Sequence, residues 1–345
     1  MSSLKEVARE AGVSTATVSR VLNGFQNVRE DTRSRVERAI RELDYQPNRV
    51  ARRLRAREVS SKLLGLIVPD IQNPFYVDVV RGIEDRALAD QYAVLMCNFA
   101  QDEKRERLYV DIMRSESVDG LIVAPAHQRD PKVIELVREG LPIVCVDRGL
   151  EGVEVDVVVV DNRQGAFDAV DHLARLGHRR IAYVAGLPRI PSTMERLAGY
   201  EEALAAHGID KDETLVRFGD SKHESGRLLT GELLDLPNPP TALFTGNNLI
   251  TLGALETIHR GGLRIPEDVA IVGFDDMYWS ISLNPPLTAV SQPGYEIGRR
   301  AADLLLQRIA DPTRPRVKLV LKTSLVVRRS CGSKQNITTG NGGEP

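Results

Sequence analysis

Apolar positions in the first 45 residues fall on helical spacing, and beyond about residue 60 they gather into short strand-like runs. Leu4, Val7, Ala8 and Ala11 repeat at i, i+3, i+4 and i+7, which predicts one helix face. Gly12-Val13 breaks that period, and Ser14 stands where an N-cap is wanted before a second short helix from Thr15 to Asn23. In this helix Val18, Val21 and Leu22 turn inward, while Thr15, Ala16, Ser19 and Arg20 turn outward. Val36, Ala39, Ile40 and Leu43 give the stripe of a third helix, whose first turn carries Glu30 and Asp31, the charge sign its dipole favours. Three short helices around one small core, with a sparsely charged second helix facing out, predict a helix-turn-helix. A plain three-helix bundle is the bland alternative.

From Leu63 onward the period changes. Runs at 64–68, 93–97, 120–123, 143–146, 181–185, 242–244 and 269–272 read as buried strands. Segments 76–90, 103–114, 164–176, 194–206 and 249–259 read as helices. Such alternation predicts an α/β body of doubly wound parallel sheets. One sheet of that many strands would be large, so two lobes are expected. The run 317–327 closes the C-terminal end of the body, and residues 330–345, rich in Gly, Ser, Asn and Thr, read as a disordered tail.

At 345 residues the chain suits two or three domains. No apolar run approaches the length of a membrane span and no signal-peptide core opens the chain, which points to a cytoplasmic protein. Cys97, Cys145 and Cys331 are scattered, without a CxxC pair, which fits a reduced compartment and no zinc site. The net charge of −2 hides an asymmetry: residues 1–60 hold 13 Lys/Arg against 8 Asp/Glu, and the remainder is acidic. A basic head on an acidic body directs phosphate attraction to one end.

After Tyr45-Gln46-Pro47-Asn48 comes Arg49-Val50-Ala51-Arg52-Arg53-Leu54-Arg55-Ala56-Arg57. Here the chain resembles the lactose-repressor (LacI/GalR-type) family of bacterial transcription regulators. The likeness rests on the segment from Val13 to Gly24, the Tyr45/Pro47-Asn48 step and Val50-Ala51 with Leu54. It continues through Gly65-Leu66-Ile67-Val68-Pro69-Asp70, Asn73-Pro74-Phe75, Val272-Gly273-Phe274-Asp275-Asp276 and Pro285-Pro286-Leu287-Thr288. The resemblance covers roughly residues 3 to 329. It implies a head at 1–46, a hinge at 47–60 and a periplasmic-binding-protein-like effector and dimerisation body at 61–329. The two lobes are then joined by crossovers near 162, 290 and 322, with a ligand cleft between them.

Family likeness puts Thr15, Ala16 and Arg20 on the major-groove face, and their chemistry agrees. Arg20 can donate two parallel hydrogen bonds to a guanine, and Ala16 suits a thymine methyl. Ser14, Thr17, Ser19 and Asn23 are expected on phosphates, with capping as the other reading of Thr17 and Ser19. The arginine-rich segment is too short to be a stable helix alone, so its folding is expected to be coupled to DNA. In the family, paired hinge helices lie in the minor groove; Asn48, Arg49 and Ala51 fall in that segment, and Leu54 occupies the position of the wedging leucine. One head covers a half-site, so a homodimer on a near-palindromic double-stranded operator is implied.

The resemblance also supplies candidate cleft residues: Phe75, Tyr76, Asp147, Arg148, Arg196, Asn247, Asn248 and Asp275. Acid, base and amide groups from several strand ends suit a polyhydroxylated small-molecule effector, a sugar or sugar derivative. Competing readings make Arg196 and Asp275 a mutual pair and Phe75 a core residue. Gly219-Asp220 is followed by Ser221 where many relatives carry a stacking aromatic; Trp279 is a candidate substitute, with packing at the hinge edge as the equal alternative. No HExxH, GxSxG, GxGxxG or GxxxxGK[ST] pattern is present, so nothing points to an enzyme, a metal or a cofactor. Control by a protein partner, an activating role, or a solute-binding protein are the alternatives.

Overall fold

The computed structural model describes residues 3–22, 25, 27–45 and 60–333. The chain divides into two compact units, Met1–Ser61 and Lys62–Pro345. The small unit holds α1 (Leu4–Glu10), α2 (Thr15–Leu22) and α3 (Glu30–Glu42). Ser3 and Glu6 close a capping box over the start of α1. Ser14 Oγ accepts the Thr17 N–H at 3.2 Å and so starts α2. Val7, Ala8, Ala11, Val18, Val21, Val36 and Ala39 form the core, with Leu4, Leu22, Ile40 and Leu43 packed at its edge. The faces that periodicity selects are the faces that are buried.

In the large unit one lobe is built by β1 (Leu63–Val68), α4 (Pro74–Ala89), β2 (Ala93–Asn98), α5 (Glu103–Ser115), β3 (Gly120–Val123), α6 (Pro131–Arg138), β4 (Ile143–Val146) and β5 (Asp156–Val160). The second lobe is built by α7 (Asn162–Arg175), β6 (Ile181–Ala185), α8 (Pro191–Ala206), β7 (Val216–Phe218), α9 (His223–Leu234), β8 (Ala242–Thr245), α10 (Asn248–Arg260), β9 (Ala270–Phe274) and β10 (Thr288–Ser291). Then α11 (Gly294–Ala310) and β11 (Lys318–Leu321) return to the first lobe, and β12 (Ser324–Val326) to the second. The first sheet runs β11-β5-β4-β3-β1-β2, all parallel. The second runs β12-β10-β9-β8-β6-β7, parallel except for β12. Central strands covered on both faces read as unbroken apolar runs, as in Leu64, Leu66, Ile67 and Val68.

The chain crosses between sheets at 161–162, 292–293 and 322–323. Asp161 Oδ1 accepts the Thr323 N–H at 2.7 Å and the Thr323 hydroxyl at 2.8 Å, fastening the first crossing to the third. The run 317–327 is therefore two strands in different sheets, divided at Lys322-Thr323. Strands β5, β7 and β10 and helices α6, α9 and α11 go beyond the elements read from the pattern. The eight residues of α6 are few for a periodicity argument, and Gly294 and Gly298 weaken the helical signal of α11.

One expectation is corrected at the C-terminus. Ser330 and Cys331 belong to the body, not to a tail. Ser330 Oγ accepts the Thr288 N–H at 2.8 Å and donates to the Ile271 carbonyl at 2.7 Å, and Cys331 is fully buried in the second-lobe core. Residues 46–59, which hold the expected hinge of 47–60 except for its last residue, and the chain from 334 on lie outside the described residues. Among the described residues no helix is long and apolar enough to cross a membrane.

Helices α4 and α11 cross backbone to backbone at two glycines. A Cβ on Gly298 would lie 2.0 Å from the Val79 carbonyl oxygen, and one on Gly82 would lie 2.0 Å from that of Tyr295. Gly298→Ala is therefore expected to cost about 1–3 kcal/mol or more through overpacking. A urea titration reads this as a lower midpoint, whereas an unchanged midpoint would mean the two helices can part freely.

Candidate functional site

Parallel sheets hold ligands beyond the carboxyl ends of their strands, and both lobes present those ends to one cleft. From the first lobe come Pro69 and Asp70 after β1, Phe99 and Gln101 after β2, Ala126 after β3, and Asp147 and Arg148 after β4. The start of α4 adds Asn73, Phe75 and Tyr76. From the second lobe come Gly186, Arg189 and Ile190 after β6, Ser192, Thr193 and Arg196 on α8, and Ser221 after β7. Gly246, Asn247 and Leu249 follow β8, Asp275 follows β9 and Gln292 follows β10. The space between them is about 760 Å³, its solvent-open mouth included.

Four of these residues, Gln101, Asp147, Ser221 and Asp275, adopt left-handed backbone conformations with φ of 60°, 65°, 66° and 76°. Non-glycine side chains take that region at a cost, and such strain gathers where a side chain must be aimed. Here it turns each chain sharply at a strand end and brings its side chain to the cleft wall.

Asp275 is 2% exposed. Burial raises its pKa above the usual aspartate value, opposed by the Arg196 charge, a hydrogen bond from Gln292 and the Asn248 N–H. Arg196 and Asp275 do not form a hydrogen-bonded pair. Arg196 donates from Nε to Asn162 Oδ1 at 2.9 Å and from Nη1 to the Gly246 carbonyl at 2.5 Å, and its guanidinium lies 3.6 Å above the Phe274 ring. It acts on Asp275 through its field. Across the cleft Tyr76 donates to Asp147 Oδ2 at 3.0 Å, and Arg148 Nε is 3.6 Å from the same oxygen. Burial, followed by the Asp147 carboxylate, pushes the Tyr76 hydroxyl well above its ordinary pKa, so it stays a donor. Arg148 Nε has no hydrogen-bond partner among the described residues.

Of the residues expected in the cleft, Phe75, Tyr76, Asp147, Arg148, Arg196, Asn247 and Asp275 line it. Phe75 serves twice, because it also belongs to the first-lobe core and meets Tyr76 edge-on at 5.0 Å. Asn247 caps α10, its Oδ1 accepting from the Ile250 N–H and its Nδ2 donating to the Ser221 carbonyl. One expectation changes, and one open reading is decided. Asn248 is fully buried behind the wall and bonds Asn73 and Asp275 instead of lining the cleft. Trp279 packs against the second-lobe core and does not replace a stacking surface. Asp70, Gln101, Arg189, Ser192, Thr193 and Gln292 went unseen in the sequence. Gln292 directly follows a strand, Thr288–Ser291, that the pattern did not flag; recognising the strand would have found it.

In the small unit Thr15, Ala16 and Arg20 are exposed on one face of α2, as a reading surface requires. Thr17 Oγ1 is 2.9 Å from Ser14 Oγ, so both hydroxyls take part in the helix cap, and Ser19 is half-buried. Asn23, Asn48, Arg49, Ala51 and Leu54 lie outside the described residues.

A helix-turn-helix unit and a two-lobed ligand-cleft body in one chain define a DNA-binding transcriptional regulator. Comparison with known proteins agrees: residues 3–48 match the bacterial regulatory proteins of the lacI family, and residues 170–331 match the periplasmic binding protein-like domain. The chain is 40% identical over 306 residues to the HTH-type transcriptional repressor CytR of Escherichia coli K12, covering 89% of each. It is 39% identical over 334 residues to the regulator CelR of Thermobifida fusca, covering 95% of this chain and 97% of that one. The lac repressor dimer bound to operator and the anti-inducer ONPF superposes with a TM-score of 0.84 at 30% identity, covering 96% of this chain and 99% of that one. A CelR–cellobiose complex gives 0.73 at 36% identity, covering 96% and 100%. The chain belongs to the lacI family of bacterial transcription regulators.

Behind the first-lobe wall lies Glu106, fully buried, with Oε1 accepting the Ala126 N–H at 2.9 Å and Oε2 unpartnered among the described residues. Burial first, then the neighbouring Asp130 carboxylate, raises its pKa to about 7. A carboxyl whose folded pKa is raised stabilises most below its unfolded pKa of about 4.5, and that contribution is lost as pH rises through about 7. Glu106→Gln keeps the acceptor for Ala126 and cannot ionise. It is expected to match the parent protein near pH 5 and exceed it above pH 8, by roughly 3 kcal/mol at most. Urea midpoints across that range would show parallel pH profiles if the account is wrong.

Proposed function

We propose that this regulator is a repressor that binds a near-palindromic operator as a homodimer, and that a sugar or sugar derivative bound between the lobes alters its grip on DNA. The observation that carries the effector class is the cleft wall itself. Carboxylates (Asp70, Asp147, Asp275), guanidinium groups (Arg148, Arg189, Arg196) and amides (Asn73, Asn247, Gln292) converge from both lobes beside Phe75 and Tyr76. Each hydroxyl of a polyol wants a donor and an acceptor, and an aromatic face suits the apolar side of a sugar ring. The solved relative that carries cellobiose supports the same class.

On DNA, the exposed Arg20 would read a guanine in each half-site, with Thr15 and Ala16 beside it. Asn48, Arg49, Ala51 and Leu54 would engage the minor groove as the operator folds the hinge. A single head covers one half-site, which is why a dimer is required. The relative solved on operator is a dimer. Such a regulator works in the cytoplasm.

A thermal-shift screen of sugars, sugar acids and sugar phosphates on the whole protein tests the effector class. Asp275→Ala should weaken binding of any stabilising sugar about 10- to 100-fold, the worth of a charge-assisted hydrogen bond. Unchanged affinity in that variant would place the ligand elsewhere, and a screen without any hit would favour control by a protein partner. Arg20→Ala should cost about 1–3 kcal/mol per half-site and relax preference at a single base pair. Equal losses across all base pairs, measured at one salt concentration, would reduce Arg20 to a phosphate contact.

A further inference from the structure

Asn248 joins the two lobes directly. Its backbone N–H and its Nδ2 lie 3.3 and 3.4 Å from Asp275 Oδ2 in its own lobe, while Nδ2 donates to Asn73 Oδ1 of the other lobe at 2.8 Å. All three side chains are buried. The orientation of both amides is forced by their neighbours. Asn73 Oδ1 caps α4 by accepting the Phe75 N–H at 2.9 Å, so the oxygen of Asn73 is held in place. With a carbonyl oxygen on one side and a carboxylate on the other, Asn248 must present its nitrogen. Its own Oδ1 is then left buried without a donor. An unpaired buried acceptor is unfavourable, and the contact between lobes persists in spite of it.

The carboxylate at the centre is held from two sides. Gln292, on the second crossing, donates to Asp275 Oδ1, and Asn248 engages Oδ2. We propose that Asn248 is a positioning residue of the effector response. It ties the cleft-facing carboxylate of the second lobe to the Asn73 cap of α4, so that a ligand hydroxyl competing for Asp275 is felt in the first lobe. The coupling role rests on the assignment of the cleft as the effector site, but the Asn73–Asn248 latch is a property of the protein without ligand and can be tested there.

The test is the distance between lobes in the full-length, ligand-free protein, read by pulsed electron resonance between spin labels. Labels are attached through Leu108→Cys on α5 and Leu228→Cys on α9, both exposed positions, in a Cys97→Ser background. Asn248→Ala and Asn73→Ser each should move the distribution to longer, broader distances, by more than about 2 Å. Serine retains a capping hydroxyl for α4, so Asn73→Ser carries the test if Asn248→Ala does not fold. The double variant should shift no further than either single one, because both remove the same bond. Distances unchanged in both single variants, or a double variant that shifts by the sum of the two, would overturn the proposal. No ligand is added, so failure here leaves the cleft assignment standing, and a failed sugar screen leaves the latch standing.

Discussion

A carboxylate taken out of water has to be held by its surroundings, and Asp275 is where this molecule meets that demand. It ends β9 in a left-handed turn, nearly fully buried, with Gln292 on one oxygen, Asn248 on the other and the Arg196 charge close enough to oppose the effect of burial. Those three partners come from different parts of the architecture: a crossing between lobes, the first turn of α10 and the first turns of α8. Arg196 in turn is bonded to Asn162 beside the first crossing, which Asp161 fastens to the third. Groups that satisfy one buried charge thus reach the connections on which the lobes would hinge. Low surrounding polarity makes each of these bonds strong and each broken one costly.

That arrangement explains how a small ligand could have a large consequence. A ligand shifts an equilibrium only by its differential affinity for the two states. In this cleft Asp275 and Asn73 line the wall, and Asn248 bonds both from behind it, so a ligand that engaged either would also act on the contact between lobes. The helix-turn-helix is simpler. Its core is a handful of small aliphatic side chains, and α2 leaves Thr15, Ala16 and Arg20 free of packing duties.

The sequence reveals the molecule unevenly, for physical reasons. Helical and strand periodicities expose the head, the parallel sheets and most of the buried runs, because burial on a defined face leaves a repeating trace. Short or glycine-containing elements such as α6 and α11 leave a weaker trace. Family likeness reaches seven of the eight expected cleft residues. It misplaces Asn248, because the difference between lining a cavity and bracing its wall depends on a neighbour 175 positions away, Asn73. Gln101, Ser192 and Thr193 carry no local signature, and Gln292 is marked only by the short strand before it; strand ends, left-handed turns and the facing lobe bring them together. Trp279, which the sequence leaves open between a stacking surface and packing, is decided only by its neighbours in the second-lobe core.

The central claim is that ligand in the cleft and operator on the helix-turn-helix bias one shared equilibrium. Reciprocal titration measures this most directly: operator affinity with and without the stabilising sugar, and sugar affinity with and without operator, in one buffer at one salt concentration. Linkage requires the two factors to be equal. Equal factors well removed from one are the predicted result. A sugar that binds tightly yet leaves operator affinity unchanged, or two factors that differ beyond error, would contradict the account.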